Sequence, residues 1–153
     1  MAAEVHNSLK AGSGKGVAQD FGQATQWYRK AADAGQPNAQ VNLGCLYLNG
    51  TGVSRSDSEA MRWFRESAEK GDSMAAYYLG EMYERGRGAT QDFAEAAGWY
   101  RRAAEKGMAK AQYQLGDLLR NGRGVPRDRT EAEKWFRRAA LQGYPKPRVD
   151  VMP

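Results

Sequence analysis

The chain has 153 residues, 41% of them hydrophobic and 27% charged, with a net charge of +5, which is ordinary composition for one globular domain with a continuous core. No apolar run approaches the roughly 18 residues that a membrane span needs. A single cysteine, Cys45, excludes an internal disulfide framework and a Cys-rich zinc site, and a single histidine, His6, leaves almost no material for His-based metal or triad chemistry.

Taken in chain order, the opening Met1-Ala2-Ala3-Glu4-Val5-His6 has neither a basic start nor an apolar stretch, so no signal peptide is visible and the compartment stays open. Residues 1–13 occupy the place of a helix that later units carry. Asn7 and Ser8 stand there where Leu43 and Gly44 stand in the next unit, so the segment reads as degenerate or frayed. Gly12-Ser13-Gly14-Lys15-Gly16 superficially resembles a phosphate-binding loop. It lacks the glycine five residues before Gly14, where Leu9 sits, and Gly16 replaces the hydroxyl residue that would hold magnesium. It reads better as the first copy of a glycine turn aligned with Gly50-Thr51-Gly52.

From there one pattern returns every 36 residues. The aromatic pairs Trp27-Tyr28, Trp63-Phe64, Trp99-Tyr100 and Trp135-Phe136 are each preceded by an alanine three residues earlier and followed by a glycine eight residues later. A period of this size signals units that bury their apolar faces against their neighbours. Rings at one helical phase beside Ala31-Ala32, Ser67-Ala68, Ala103-Ala104 and Ala139-Ala140 read as core.

Within a unit, Ala39, Leu43, Leu46 and Tyr47 keep the spacing of an amphipathic helix, repeated as Ala75, Leu79, Met82, Tyr83 and as Ala111, Leu115, Leu118, Leu119. Gly50, Gly86 and Gly122 end these first helices, because glycine takes the left-handed cap conformation without strain. A second helix then starts at Asp20-x-x-Gln23, Ser56-x-x-Glu59, Asp92-x-x-Glu95 or Asp128-x-x-Glu131, each a capping-box pattern. Gly44, Gly80 and Gly116 permit close approach of the paired helix. The predicted fold is all-α: antiparallel helix pairs stacked into a right-handed α/α superhelical solenoid. An orphan second helix (20–34) precedes three full pairs (36–70, 72–106, 108–142) in an array over 14–144. Pro145 and Pro147 break the next helix, so 145–153 is predicted to be an extended tail.

The run Ala39-x-x-x-Leu43-Gly44-x-x-Tyr47-x-x-Gly50-x-Gly52-Val53, followed by Ala60-x-x-Trp63-Phe64 and Ala68-x-x-Gly71, resembles the SEL-one-like repeat, a relative of the tetratricopeptide repeat with a longer loop between helices. The resemblance covers about residues 14–144. It implies a non-catalytic scaffold that holds other proteins together, with the first helices lining the concave side. It also brings two alternatives: an immunity-type regulator that occludes an enzyme, and a small-ligand binder, for a β-lactam or glycan, like the cysteine-rich bacterial members. The lone Cys45 departs from those members, which bridge each repeat with a disulfide.

On that basis the binding positions are those that vary while the framework repeats. They are Asn38, Asn42, Cys45, Leu48 and Asn49; Met74, Tyr78, Glu81, Glu84 and Arg85; and Lys110, Gln114, Asp117 and Arg120, with Asn121 beside them. This mixture of amides, both charges and a tyrosine suits a peptide or protein segment. Cys45 shares its register with Glu81 and Asp117 and is expected at the surface. Self-association through the array ends is the second expected mode of contact. Arg29-Lys30, Arg101-Arg102 and Arg137-Arg138 sit late in second helices, where cations complement the helix dipole. Nucleic acid is therefore not the expected partner, no cofactor is expected, and nothing calls for membrane insertion. The carboxylates form no recurring pair outside caps and helix faces, so an enzyme is not expected.

Overall fold

The computed structural model describes residues 14–147, with side chains from residue 21 onward. Among the described residues there are seven α-helices and no strand: α1 (Gly14–Asp33), α2 (Pro37–Asn49), α3 (Asp57–Glu69), α4 (Ser73–Arg85), α5 (Phe93–Glu105), α6 (Ala109–Asn121) and α7 (Arg129–Leu141). The helices repeat at the predicted 36-residue step, so the fold is an all-α repeat, with α2, α4 and α6 as first helices and α3, α5 and α7 as their partners. The chain divides into two compact units, residues 1–75 and 76–153.

Local chemistry explains the helix ends. Gly50 and Gly122 close α2 and α6 in the left-handed conformation (φ 67° and 65°), which turns their N–H groups back to the carbonyls of Leu46 and Leu118. At the second helices, Ser56 Oγ, Asp92 Oδ1 and Asp128 Oδ1 accept from the N–H of the residue three positions on, at 3.2, 3.0 and 2.9 Å. The return half of the expected capping box is not what satisfies the cap residue. Instead, the N–H groups of Ser56, Asp92 and Asp128 donate to the carbonyls of Tyr47, Tyr83 and Leu119, each at 2.9 Å. A backbone acceptor on the first helix thus ties the two helices of a pair together. The acidic partners are free for other contacts: Glu59 accepts from Arg62, and Glu131 from Arg101.

The start of the array differs from the sequence reading. Helix α1 begins at Gly14 and not at Asp20, so the stretch Gly14-Lys15-Gly16 is helical, and Asp20 lies inside the helix where it cannot cap it. Val17, Ala18 and Gln19 include no proline, so nothing in the backbone stops the helix from running through them. The expectation for residues 1–13 lies outside the described residues. At the other end, Tyr144–Pro147 is irregular, and the remainder of the predicted tail also lies outside.

In the first unit, Ala32 of α1, Ala39 and Leu43 of α2 and Trp63 of α3 form one buried cluster, flanked by Tyr28, Ala31, Leu46 and Tyr47. Burying each large side chain contributes about 1.5–3 kcal/mol. Gly44 lies so close to α3 that a Cβ there would sit 2.6 Å from Phe64 Cε1, so only glycine fits. Gln40, fully buried, donates to the Ala32 carbonyl (3.2 Å) and to Glu66 (3.1 Å), while Lys70 Nζ donates to the Gly35 carbonyl at 2.6 Å. These bonds satisfy groups that would be costly to bury bare.

The second unit repeats the scheme with tyrosines added. A Cβ on Gly80 would lie 2.6 Å from the Tyr100 ring, and one on Gly116 would lie 2.7 Å from Phe136. Tyr100 is fully buried; Tyr77 meets its ring edge-on at 5.7 Å, and Tyr113 meets Phe136 at 5.3 Å. Gln112 donates to the Ala104 carbonyl (3.1 Å), and Gln142 donates to the Gly107 carbonyl (2.8 Å) and to Gln112 Oε1 (3.2 Å). Gln112 and Gln142 thus stand where Gln40 and Lys70 stand in the first unit.

The Trp register is core in three cases: Trp63, Trp99 and Trp135 are buried. Trp27 is the exception, at 48% exposed. Its counterpart Trp63 rests on Ala39 and Leu43, and the corresponding registers for Trp27 fall on Ala3 and Asn7, which lie outside the described residues.

Candidate functional site

The first helices carry the candidate positions, and none of those positions is buried. On α2, Asn38, Asn42 and Asn49 are exposed, and Cys45 and Leu48 are half-buried. The framework accounts for this orientation: Ala39, Leu43 and Gly44 turn toward α1 and α3, which leaves the opposite side of the helix for the amides. Cys45 is half-buried, less accessible than the sequence reading placed it.

Helix α4 begins in the first unit, with Met74 43% exposed, and continues into the second. Tyr78, Glu81 and Glu84 are half-buried and Arg85 is exposed. Arg85 lies 3.6 Å from Glu81, one helical turn away. The Tyr100 hydroxyl donates to Glu84 Oε2 at 2.5 Å. Burial, then this hydrogen bond, holds the Tyr100 hydroxyl well above the ordinary tyrosine range. Tyr77 is pushed up to about 12, first by burial and then by the negative charge of Glu81. Both hydroxyls therefore stay protonated donors, and they anchor the two carboxylates of α4 rather than competing with them.

On α6, Lys110 is exposed, and Gln114, Asp117 and Arg120 are half-buried. Arg120 bonds Asp117 at 3.1 Å and lies over the Phe136 ring, while Asn121 donates to the Asp117 carbonyl at 3.0 Å. Glu81 with Arg85, and Asp117 with Arg120, are thus drawn together within their own helices. Pairs within one helix that stay open to solvent are worth about 0–1 kcal/mol, so a partner can displace the Glu81–Arg85 pair, whose arginine is exposed, at little cost.

Sequence reasoning missed two sets of residues. Tyr77 and Tyr113, one position before Tyr78 and Gln114, join the aromatic packing, and Tyr144 follows Tyr113 at 5.1 Å. Their 36-residue spacing was the available signal. The buried Gln40 and Gln112 were also missed, because a glutamine beside an apolar stripe reads as surface unless its hydrogen-bond partners are known.

The second helices carry a different chemistry. Arg62, Arg102 and Arg138 lie over the rings of Trp63, Trp99 and Trp135 at 4.3, 4.6 and 4.8 Å. Their positive charge is spent partly on the protein's own rings. No helix among the described residues is long and apolar enough to cross a membrane.

Comparison with known proteins agrees with this geometry. The model of the family "Sel1 repeat" matches residues 11–36, 37–72, 73–108 and 109–144, four consecutive units. Among solved structures, a protective antigen present in uropathogenic Escherichia coli strains, displaying an SLR fold, is 38% identical with a TM-score of 0.84, covering 94% of this chain and 30% of that one. A Sel1 repeat protein from Oxalobacter formigenes is 34% identical with a TM-score of 0.83, covering 94% and 56%. This chain therefore spans about a third of the first and just over half of the second. Cysteine rich protein B of Helicobacter pylori, at 23% identity and a TM-score of 0.66 over 83% of this chain and 91% of that one, shares the fold. No curated protein sequence matches the chain.

Proposed function

The chain belongs to the Sel1 repeat family, and from that premise we propose that it is a non-catalytic scaffold whose first helices hold a peptide or protein segment of a partner. The supporting observation is a contrast within one register. Leu43, Leu79 and Leu115, with Gly44, Gly80 and Gly116, are identical from unit to unit and buried. Beside them Asn42, Tyr78 and Gln114, and Cys45, Glu81 and Asp117, differ in every copy while none is buried. Burial in the core explains the constant set, and the variable set, unburied in every copy, is where partner choice resides.

The experiment is capture of interacting proteins by the chain and by the double variant Glu81→Lys, Asp117→Lys, with circular dichroism as the folding control. The expected result is at least tenfold weaker retention of the wild-type partners at unchanged helicity. Retention that survives the double variant but fails with Arg137→Glu, Arg138→Glu would move the interface to the second helices and overturn the reading.

A further inference from the structure

One outward stripe of the second helices is exposed in every copy. Ser58, Ala94 and Thr130 begin it, and Arg62, Gly98 and Lys134 follow one turn on; all six are exposed, on helices that another pair follows and on α7 alike. Exposure here is therefore a property of the register and not of a helix's place in the chain. The charges along the stripe differ. After Arg62, α3 continues with Glu66, so its two charges balance, whereas α7 continues from Lys134 to a second cation, Arg138.

The carboxylates that neutralise the first of these cations differ as well. Arg62 lies between Glu59 at 2.9 Å and Glu66 at 3.6 Å. Its counterpart Lys134 is offered neither in the same way. Glu131, at the register of Glu59, is already engaged by Arg101 at 2.8 Å and by Trp135 Nε1 at 3.4 Å, and the register of Glu66 holds Arg138. Arg138 lies over the Trp135 ring at 4.8 Å and is itself exposed, so the ring holds the guanidinium in place while its N–H edge stays open to a planar acceptor. Lys134, Trp135 and Arg138 line an open pocket of about 380 Å³ together with Asp128, Thr130 and Glu131.

We propose that this face of α7 binds an acidic peptide segment, one carboxylate meeting Lys134 and the guanidinium fork of Arg138 in the pocket beside Trp135. Charge complementarity favours a peptide over a nucleic acid. Asp128, Glu131 and Glu133 stand among the cations of α7, so a continuous row of phosphates meets repulsion along the helix, whereas single carboxylates on flexible side chains reach the cations one at a time. A contact made of a few solvent-open charge pairs is weak, with a dissociation constant of about 1 mM, and capture with washing does not retain it. It is separate from the first-helix positions proposed for a partner, and either reading can fail without the other.

The test is a titration of the full, nitrogen-15-labelled chain with a hexaglutamate peptide, read from the indole N–H signals by NMR at about 20 mM salt, where exposed charges are little screened. The Trp135 signal, assigned with Trp135→Phe, is expected to move and saturate while the Trp63 signal stays in place. The double variant Lys134→Ser, Arg138→Ser is expected to bind at least fivefold more weakly. Lys30→Ser, Arg55→Ser removes the same charge from exposed positions elsewhere and is expected to bind as the wild type does. Where loss of Arg138 lowers the helicity, Lys134→Ser alone carries the readout, since Lys134 is exposed and rests on no ring. No saturable shift of Trp135, or equal weakening in both double variants, overturns the proposal. Tighter binding of a uridine hexanucleotide than of hexaglutamate at the same salt assigns the face to nucleic acid and overturns it as well.

Discussion

Alanine in place of Gly116 and of Gly98 should move stability in opposite directions, although both glycines lie inside helices of the same unit. The intrinsic helix preference gains up to about 1 kcal/mol in either case. At Gly98, on α5, a Cβ meets nothing within 4 Å, so the whole gain is realised. At Gly116 the Cβ would sit 2.7 Å from Phe136 Cε1. Relaxed carbon–carbon contact is about 3.5–4 Å, so the ring must retreat by about 0.8 Å or more. It has little freedom to do so: Phe136 is 2% exposed and packs against Tyr113 at 5.3 Å. Overpacking of this kind costs about 1–3 kcal/mol, which outweighs or cancels the helix gain. Gly116→Ala should therefore be destabilised by about 0–2 kcal/mol and lie about 1–3 kcal/mol below Gly98→Ala. Urea unfolding with a shared slope reads this difference from the midpoints, and in a chain of this length about 1 kcal/mol appears as roughly 2–4 °C in melting temperature. Equal stabilisation by both substitutions would show that the helix pair can open without cost, and would refute the close-approach account of Gly44, Gly80 and Gly116.

Removing the cap of α5 by Asp92→Ala should cost about 1 kcal/mol, because Asp92 Oδ1 accepts from the Glu95 N–H at 3.0 Å; an unchanged urea midpoint would show that water replaces the cap. Glu131→Gln tests a pH dependence. The hydrogen bond from Arg101 holds the Glu131 carboxyl below the ordinary carboxylate range, so its stabilising contribution is complete above that range and is lost as pH falls through the depressed value. The gap in melting temperature between wild type and Glu131→Gln should therefore be widest near neutral pH and narrow as the pH falls into the acid range; a gap that does not change with pH would remove the ion pair as its cause.

Much of the fold is legible in the sequence because it is local or periodic. The phase of Leu43, Leu79 and Leu115 sets the buried face, the glycines after the first helices set their ends, and Ser56, Asp92 and Asp128 set the next starts. The candidate site is legible in a weaker sense. The variable positions were found by subtracting the framework, and the structure leaves all of them unburied, but their anchoring was not foreseen. Nothing in the spacing of Glu84 and Tyr100 announces that a buried hydroxyl holds that carboxylate, since the contact joins residues on two helices.

What the sequence determined by itself was the unit: its length, its two helices and the residues that must be small, aromatic or capping. These follow from backbone geometry and hydrophobic period, which act within a few residues or repeat regularly. Tertiary structure alone decided the fate of residues with identical local context. It exposed Trp27 and buried Trp63, buried Gln40 with its partners, and sent the Asp92 N–H to a first-helix carbonyl rather than to Glu95. The physical reason is common to all three. Burial and hydrogen-bond satisfaction are properties of what a neighbouring element brings into contact, and a side chain's own sequence register does not specify whether that neighbour is there.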